Sequence, residues 1–157
     1  MTQHTYSYSL YEGTFLSPQP IFDRSVQLLM FRDPDEKEYQ LIINRTMLDE
    51  EQEMEAWCEV EMDKLRHKLP GFKTEGKLLK NEIGPAKLQV VQIANRYLSE
   101  GEIRRQIQSI MKLPKHPRYN PLGRDILIFT LNAMGEFSEY QRKHYVQIIN
   151  SFAPDID

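Results

Sequence analysis

Two β-type runs flank a polar turn early in the chain. Ser25 to Phe31 reads as a strand, Asp33-Pro34-Asp35-Glu36 as a turn, and Tyr39 to Arg45 as the returning strand of a hairpin. Ahead of them, residues 8–16 are aromatic and β-prone and end at the Ser17-Pro18-Gln19-Pro20 break. From Asp49 the period changes. Met54, Trp57/Cys58, Glu61/Met62, Leu65 and Leu69 recur at three and four, which makes one face of a helix. Asp49 with Gln52 fits a capping box, acidic residues crowd the first turns, and Leu69-Pro70-Gly71 is the stop, so the spacing predicts a helix over 49–69. Residues 72–79 and 86–98 read as strands broken at Gly84-Pro85. Ser99-Glu100-Gly101 turns the chain into a long partner strand, Glu102 to Leu113, and residues 114–121, with prolines at 114, 117 and 121, form a loop. Arg124 to Leu131 is a short buried strand. Ser138 with Gln141 is a second capping box, opening a last helix on which Tyr145, Ile148, Ile149 and Phe152 share a face. The order β, ββ, α, βββ, β, α predicts an α+β fold: one domain over 1–157, with a largely antiparallel twisted sheet and both helices packed on one face.

Alternation carries the functional signal. Val26, Leu28 and Met30 lie on one side of their strand and Leu29 and Phe31 on the other; Leu41 and Ile43 oppose Ile42; Ile126 and Ile128 oppose Leu127, Phe129 and Leu131. Both faces are apolar, whereas a sheet with one wet face alternates apolar with polar. Two helices on one face leave apolar surface on the other. That surface must meet the N-terminal segment, the proline-rich loop, a second protomer or a partner, since monomers rarely leave large apolar patches bare. On the long strand, Gln106 and Gln108 share a side with Arg104 and Ile110, while Ile103, Ile107 and Met111 face the other way. Glutamines at alternate positions usually face solvent; beside an apolar groove they can hydrogen-bond a helix packed there.

Composition narrows the classes. The 157 residues carry 20 Lys+Arg against 23 Asp+Glu, a net charge of −3, which argues against non-specific nucleic-acid binding. Apolar residues at 40% and charged ones at 27% are ordinary globular usage. The N-terminus has no cationic start followed by an apolar run, and no stretch approaches the roughly 20 apolar residues that span a bilayer, so a soluble, cytoplasmic protein without membrane insertion is expected.

Catalytic chemistry finds no constellation. His4, His67, His116 and His144 lack the spacing of metal ligands and read as surface histidines. Cys58, the single cysteine, excludes an internal disulfide and sits among Glu55, Glu59 and Glu61, which oppose thiolate formation. The seven glycines form no phosphate-cradling loop or nucleophile elbow, and the carboxylates at 49–55 and 59–63 read as a solvated helix face. Lys112, Lys115, Arg118 and Arg124 make a small basic cluster around the proline-rich loop, read as solvated. Neither an enzyme nor a cofactor or metal site is expected.

Asp23-Arg24-Ser25-Val26-Gln27-Leu28-Leu29 resembles the opening strand of the Eag chaperones of bacterial type VI secretion, with Gln27 where that family often has asparagine. Ile43-Asn44-Arg45, the helix ending Leu69-Pro70, Gln106-x-Gln108, and Ile126 to Thr130 before Phe137-Ser138 are similar in the same order, so the resemblance covers about 15–152. It implies a PsbP-like fold within the wider DcrB-related group. It also implies a cytoplasmic homodimer that binds the N-terminal transmembrane segments of PAAR-containing effectors before export. On this resemblance the client-binding residues are Val26, Leu28, Ile43, Leu65, Gln106 and Gln108. A transmembrane helix exposes an apolar cylinder about 30 Å long, against about 23 Å for a seven-residue strand, so a dimer covers it better than one protomer. Holding of this kind works by mass action and needs no nucleotide. The alternative is a monomeric lipid- or small-molecule-binding protein with a closed apolar pocket.

Overall fold

The structure, a computed structural model, describes residues 5–21 and 23–157; His4 lies outside them. Its elements are β1 (Tyr6–Ser9), β2 (Thr14–Ser17), β3 (Gln27–Arg32), β4 (Glu38–Met47), α1 (Met54–Lys68), β5 (Lys73–Ile83), β6 (Leu88–Ser99), β7 (Glu102–Lys112), β8 (Asp125–Met134) and α2 (Glu139–Ser151). Six strands form one antiparallel sheet in the order β3-β4-β8-β7-β6-β5, with two helices packed against it, the α+β class read from the sequence. The β-prone stretch at 8–16 is two strands rather than one. β1 and β2 pair as a separate hairpin through a turn in which Leu10 N–H bonds the Gly13 carbonyl at 2.7 Å.

The helices do not share a face. Met54, Cys58 and Met62 of α1 pack with Val91, Ile93, Ile110, Ile126 and Ile128, whereas Tyr145 and Ile149 of α2 pack with Val90, Met111, Leu127, Phe129 and Leu131. Neighbouring strand residues point to opposite faces, so α1 covers one side and α2 the other. The strands β6, β7 and β8 are apolar on both faces, and each helix has a single apolar stripe, so one cover is needed on each side. This corrects the expectation of both helices on one face.

Local chemistry sets where each helix begins. Ser138 Oγ accepts from Gln141 N–H at 3.2 Å and Gln141 Oε1 accepts from Ser138 N–H at 3.1 Å, the full capping box expected at α2. At α1 only half of the expected box forms: Gln52 Oε1 accepts from Asp49 N–H at 2.9 Å. That bond closes a turn instead, because Glu51 sits at φ +62°, outside helical backbone, and the helix starts later, at Met54. Lys80 on β5 holds Glu55 in the first turn of α1 at 3.0 Å and keeps its carboxyl below the usual glutamate range. The stabilisation from this pair is complete above the ordinary glutamate pKa and fades as pH falls through the lowered one.

Asp33 ties the β3–β4 turn to α2. Buried, its Oδ1 accepts from the N–H groups of Asp35 (3.0 Å) and Lys37 (2.9 Å), and its Oδ2 from Ser138 Oγ (3.4 Å) and Gln141 Nε2 (3.2 Å). Asp33→Ala leaves these donors without their acceptor, two of them in the buried seam at the start of α2, and is expected to cost about 2–3 kcal/mol. Urea unfolding checks this as a lower midpoint at unchanged slope.

The proline-rich loop is ordered by its own polar side chains. Asn120 donates to the carbonyls of Leu113 and Pro114 and accepts from Asp125 N–H, while His116 stacks on Tyr119 at 4.2 Å and meets the Asp157 carbonyl through Nε2 at 2.9 Å. His116 is therefore buried, not a surface histidine as expected, because the C-terminal tail folds over it. His144 is also partly covered, bonded through Nδ1 to Tyr39 Oη at 2.8 Å. No helix among the described residues is long and apolar enough to cross a membrane.

Candidate functional site

The sheet face beside α1 is only partly covered. α1 lies over the β6 and β7 side of the sheet, leaving β3, β4 and part of β8 beyond its edge. Val26, just before β3, and Leu28 and Met30 on it point to this face and are 62%, 58% and 56% exposed. The N-terminal hairpin does not cover them, since its own Leu10, Tyr11, Phe15 and Leu16 remain exposed, and the proline-rich loop folds on itself. The result is a groove with residues 24–26 and β3 behind them as one lip and the Trp57–Leu65 side of α1 as the other wall.

Register fixes its floor. Leu28 pairs with Ile42, Ile42 with Thr130, Thr130 with Gln108 and Gln108 with Ile93, so these side chains share one transverse row on the α1 face. One row along lie Met30, Gln40, Asn132, Gln106 and Asn95. At the other end a cavity of about 630 Å³ is lined by Val26, Asn44, Trp57, Leu65, Gln108 and Ile128, among others. Three strand spacings separate β3 from β7, about 14 Å, which admits one helix of about 10–12 Å diameter.

Of the six residues expected to bind a client, Val26, Leu65 and Gln108 line this cavity, and Leu28 and Gln106 lie on the same sheet face by register. Ile43 does not. It pairs with Gln27 and Phe129 and packs into the α2-side core, and its neighbour Ile42 takes the groove position. The five-residue connection at 33–37 joins Arg32 directly opposite Glu38, and this puts even-numbered residues of β3 against even-numbered residues of β4. The Arg32–Glu38 ion pair, 2.9 Å in the structure, is the signal in the sequence from which that register is readable. Met30, Ile42 and Trp57 were not singled out as binding residues.

The polar floor is incompletely satisfied. Asn95 is fully buried; its Nδ2 donates weakly to Met62 Sδ (3.8 Å) and to Gln108 Oε1 (3.4 Å), and its Oδ1 has no partner. Asn132 is held on both sides, accepting from Arg104 at 2.6 Å and donating to Tyr97 Oη at 3.2 Å. A surface of exposed apolar side chains beside the half-buried amides of Gln106 and Gln108 suits an apolar helix with a few polar or small positions.

Arg24, Arg45, Asp49, Glu61 and Lys64 also line the groove. Among the described residues no group of three His, Cys, Asp or Glu is placed to hold a metal. Burial, and then the carboxylates of Glu59, Glu61 and Glu55, push the Cys58 thiol up to about 11. Cys58 is expected to stay unreactive toward a disulfide reagent in the native protein at pH 8 and to react stoichiometrically in denaturant, followed by absorbance.

Comparison with known proteins gives the fold independent support. The structure of PA94 from Pseudomonas aeruginosa, described as a protein of unknown function, superposes with a TM-score of 0.69 at 17% identity, covering 98% of this chain and 99% of that one. LpqN of Mycobacterium tuberculosis, involved in cell envelope biogenesis, gives 0.52 at 16% identity, over 84% of this chain and 78% of that one. None of the curated proteins compared is matched by sequence. The DcrB family model matches residues 12–151, which hold the whole six-stranded sheet and both helices, and the chain belongs to the DcrB family.

Proposed function

We propose that this DcrB-family protein is an ATP-independent chaperone or adaptor of the Eag type. On this reading it acts in the cytoplasm, shielding the N-terminal transmembrane segments of a PAAR-containing type VI secretion effector, and is not an enzyme. The observation that carries the reading is the open groove on the α1 face, with Val26, Leu28 and Met30 exposed along its lip. A six-residue lip reaches about 20 Å, short of a membrane helix of about 30 Å. A homodimer presenting two grooves would shield such a helix, or a pair of them, more fully.

The test is co-expression with the N-terminal segment of a candidate effector, followed by size-exclusion chromatography with light scattering. The expected result is a soluble complex with two copies of this chain, the effector segment being insoluble alone. A monomer that leaves the segment in the pellet overturns the reading. The second reading, a lipid-binding role, draws on the open 630 Å³ cavity and on the shared fold with an envelope-biogenesis protein. It predicts lipid retained in native mass spectrometry of the purified chain.

A further inference from the structure

Beyond the two glutamines, the groove floor carries a guanidinium that forms no ion pair among the described residues. Arg104 lies on β7 one step past Gln106, on the same face, and its Nη1 donates to Asn132 Oδ1 at 2.6 Å. Asn132 is itself anchored by Tyr97 Oη, so the guanidinium is held in place. Arg104 is half-buried, and among the described residues no carboxylate stands within ion-pair distance of it. Its chain neighbour Arg105, on the other face, pairs with Glu75 at 3.3 Å, and Arg32 engages Glu38. Lys37, Glu38 and Glu136 share with Arg104 an open cavity of about 510 Å³ at this end of the sheet. A guanidinium has five donors in a fixed fork, and among the described residues only the bond to Asn132 uses one, which leaves donors for oxygen acceptors.

The last four carbonyls of any helix lack intrahelical partners, and that end carries roughly half a negative charge. Resting on the reading of this groove as a helix-binding site, the geometry points to Arg104 as the residue that fixes the direction of the bound helix. It receives oxygen acceptors at the helix C-terminus, either free carbonyls or a carboxylate that follows them. The N-terminus of the bound helix then lies toward Asn44 and Thr46, at the opposite end of β4. Arg104 acts here as a specificity-determining residue; the apolar lip supplies most of the affinity.

Disulfide trapping reads the direction, because Cys58 is buried and does not compete. The probe is a synthetic Leu/Ala-rich helical peptide of about 14 residues, about 21 Å long to match the roughly 20 Å between positions 40 and 46, bearing one cysteine at either its N- or its C-terminus. Gln40→Cys, at the Arg104 end, is expected to trap the C-terminal cysteine about tenfold more than the N-terminal one, and Thr46→Cys to show the reverse preference. Adding Arg104→Gln should bring both ratios near one, with Arg104→Lys restoring part of the preference. A preference seen with C-terminally amidated peptide assigns the carbonyls; one seen only with a terminal Glu assigns the carboxylate. Equal trapping of both ends with Arg104 present, an inverted preference, or a preference untouched by Arg104→Gln overturns the assignment while leaving the groove reading intact. Failure to trap either peptide at either position overturns both.

Discussion

Val26→Asp combined with Leu28→Asp is expected to abolish capture of an apolar client segment while leaving the fold in place. Each wild-type side chain, once covered by a client helix, contributes about 1.5–3 kcal/mol relative to exposure. Each aspartate would instead have to lose water without a partner, at a further cost of a few kcal/mol. Together these losses weaken binding by about a thousandfold or more, enough to empty a pull-down. The protein itself loses little, because both side chains are more than half exposed, Val26 just before the edge strand β3 and Leu28 on it, where a β-propensity change costs up to about 1 kcal/mol. Circular dichroism and client recovery measured on one preparation check both halves. Unchanged recovery from the folded double variant places the client elsewhere.

Phe129→Ala is the complementary case, with a large effect on stability and none on the groove. Phe129 is 4% exposed at the centre of β8, on the α2 face, and its ring meets Phe152 edge-on at 5.7 Å. Its carbonyl accepts from Tyr145 Oη at 3.2 Å, a hydroxyl that also meets Ser109 Oγ. Truncation opens a cavity between Tyr145 of α2 and Phe152 just past its end, both already fixed by these contacts, so little collapse can fill it. A loss of about 3–5 kcal/mol follows, or about 6–20 °C in Tm for a chain of this size. Molecules still folded at 20 °C should bind the client as the wild type does, since the groove is on the other side of the sheet. A melting shift below about 3 °C, or lost binding by a fully folded variant, contradicts this two-sided arrangement.

That arrangement was only half legible in the sequence. Alternation in β3, β4 and β8 showed both faces apolar, and the spacing from Met54 to Leu69 and the box at Ser138 and Gln141 marked both helices. Which face each helix takes depends on how the chain crosses the sheet after β4 and after β8, and residue spacing does not carry that. Ile43 shows the same limit on a smaller scale. Three apolar residues in a row, Leu41 to Ile43, fit either register by hydrophobicity alone, and the connection at 33–37 decides between them. His116 escaped because burial of a loop residue by a C-terminal tail more than 40 positions away leaves no periodic mark. Gln106 and Gln108 were visible, being polar at alternate positions of an otherwise apolar strand.

Leu28 and Leu29 are chain neighbours on opposite faces, which makes them the sharpest probe of where a client lies. Leu28→Cys and Leu29→Cys, each labelled with an environment-sensitive fluorophore, report the two sides of β3 separately. Adding the effector's N-terminal segment should shift the emission of the label at 28 to the blue and leave the label at 29 unchanged. A shift at 29 alone, or no shift at either position in a complex that has demonstrably formed, would contradict the groove beside α1 as the client-binding surface.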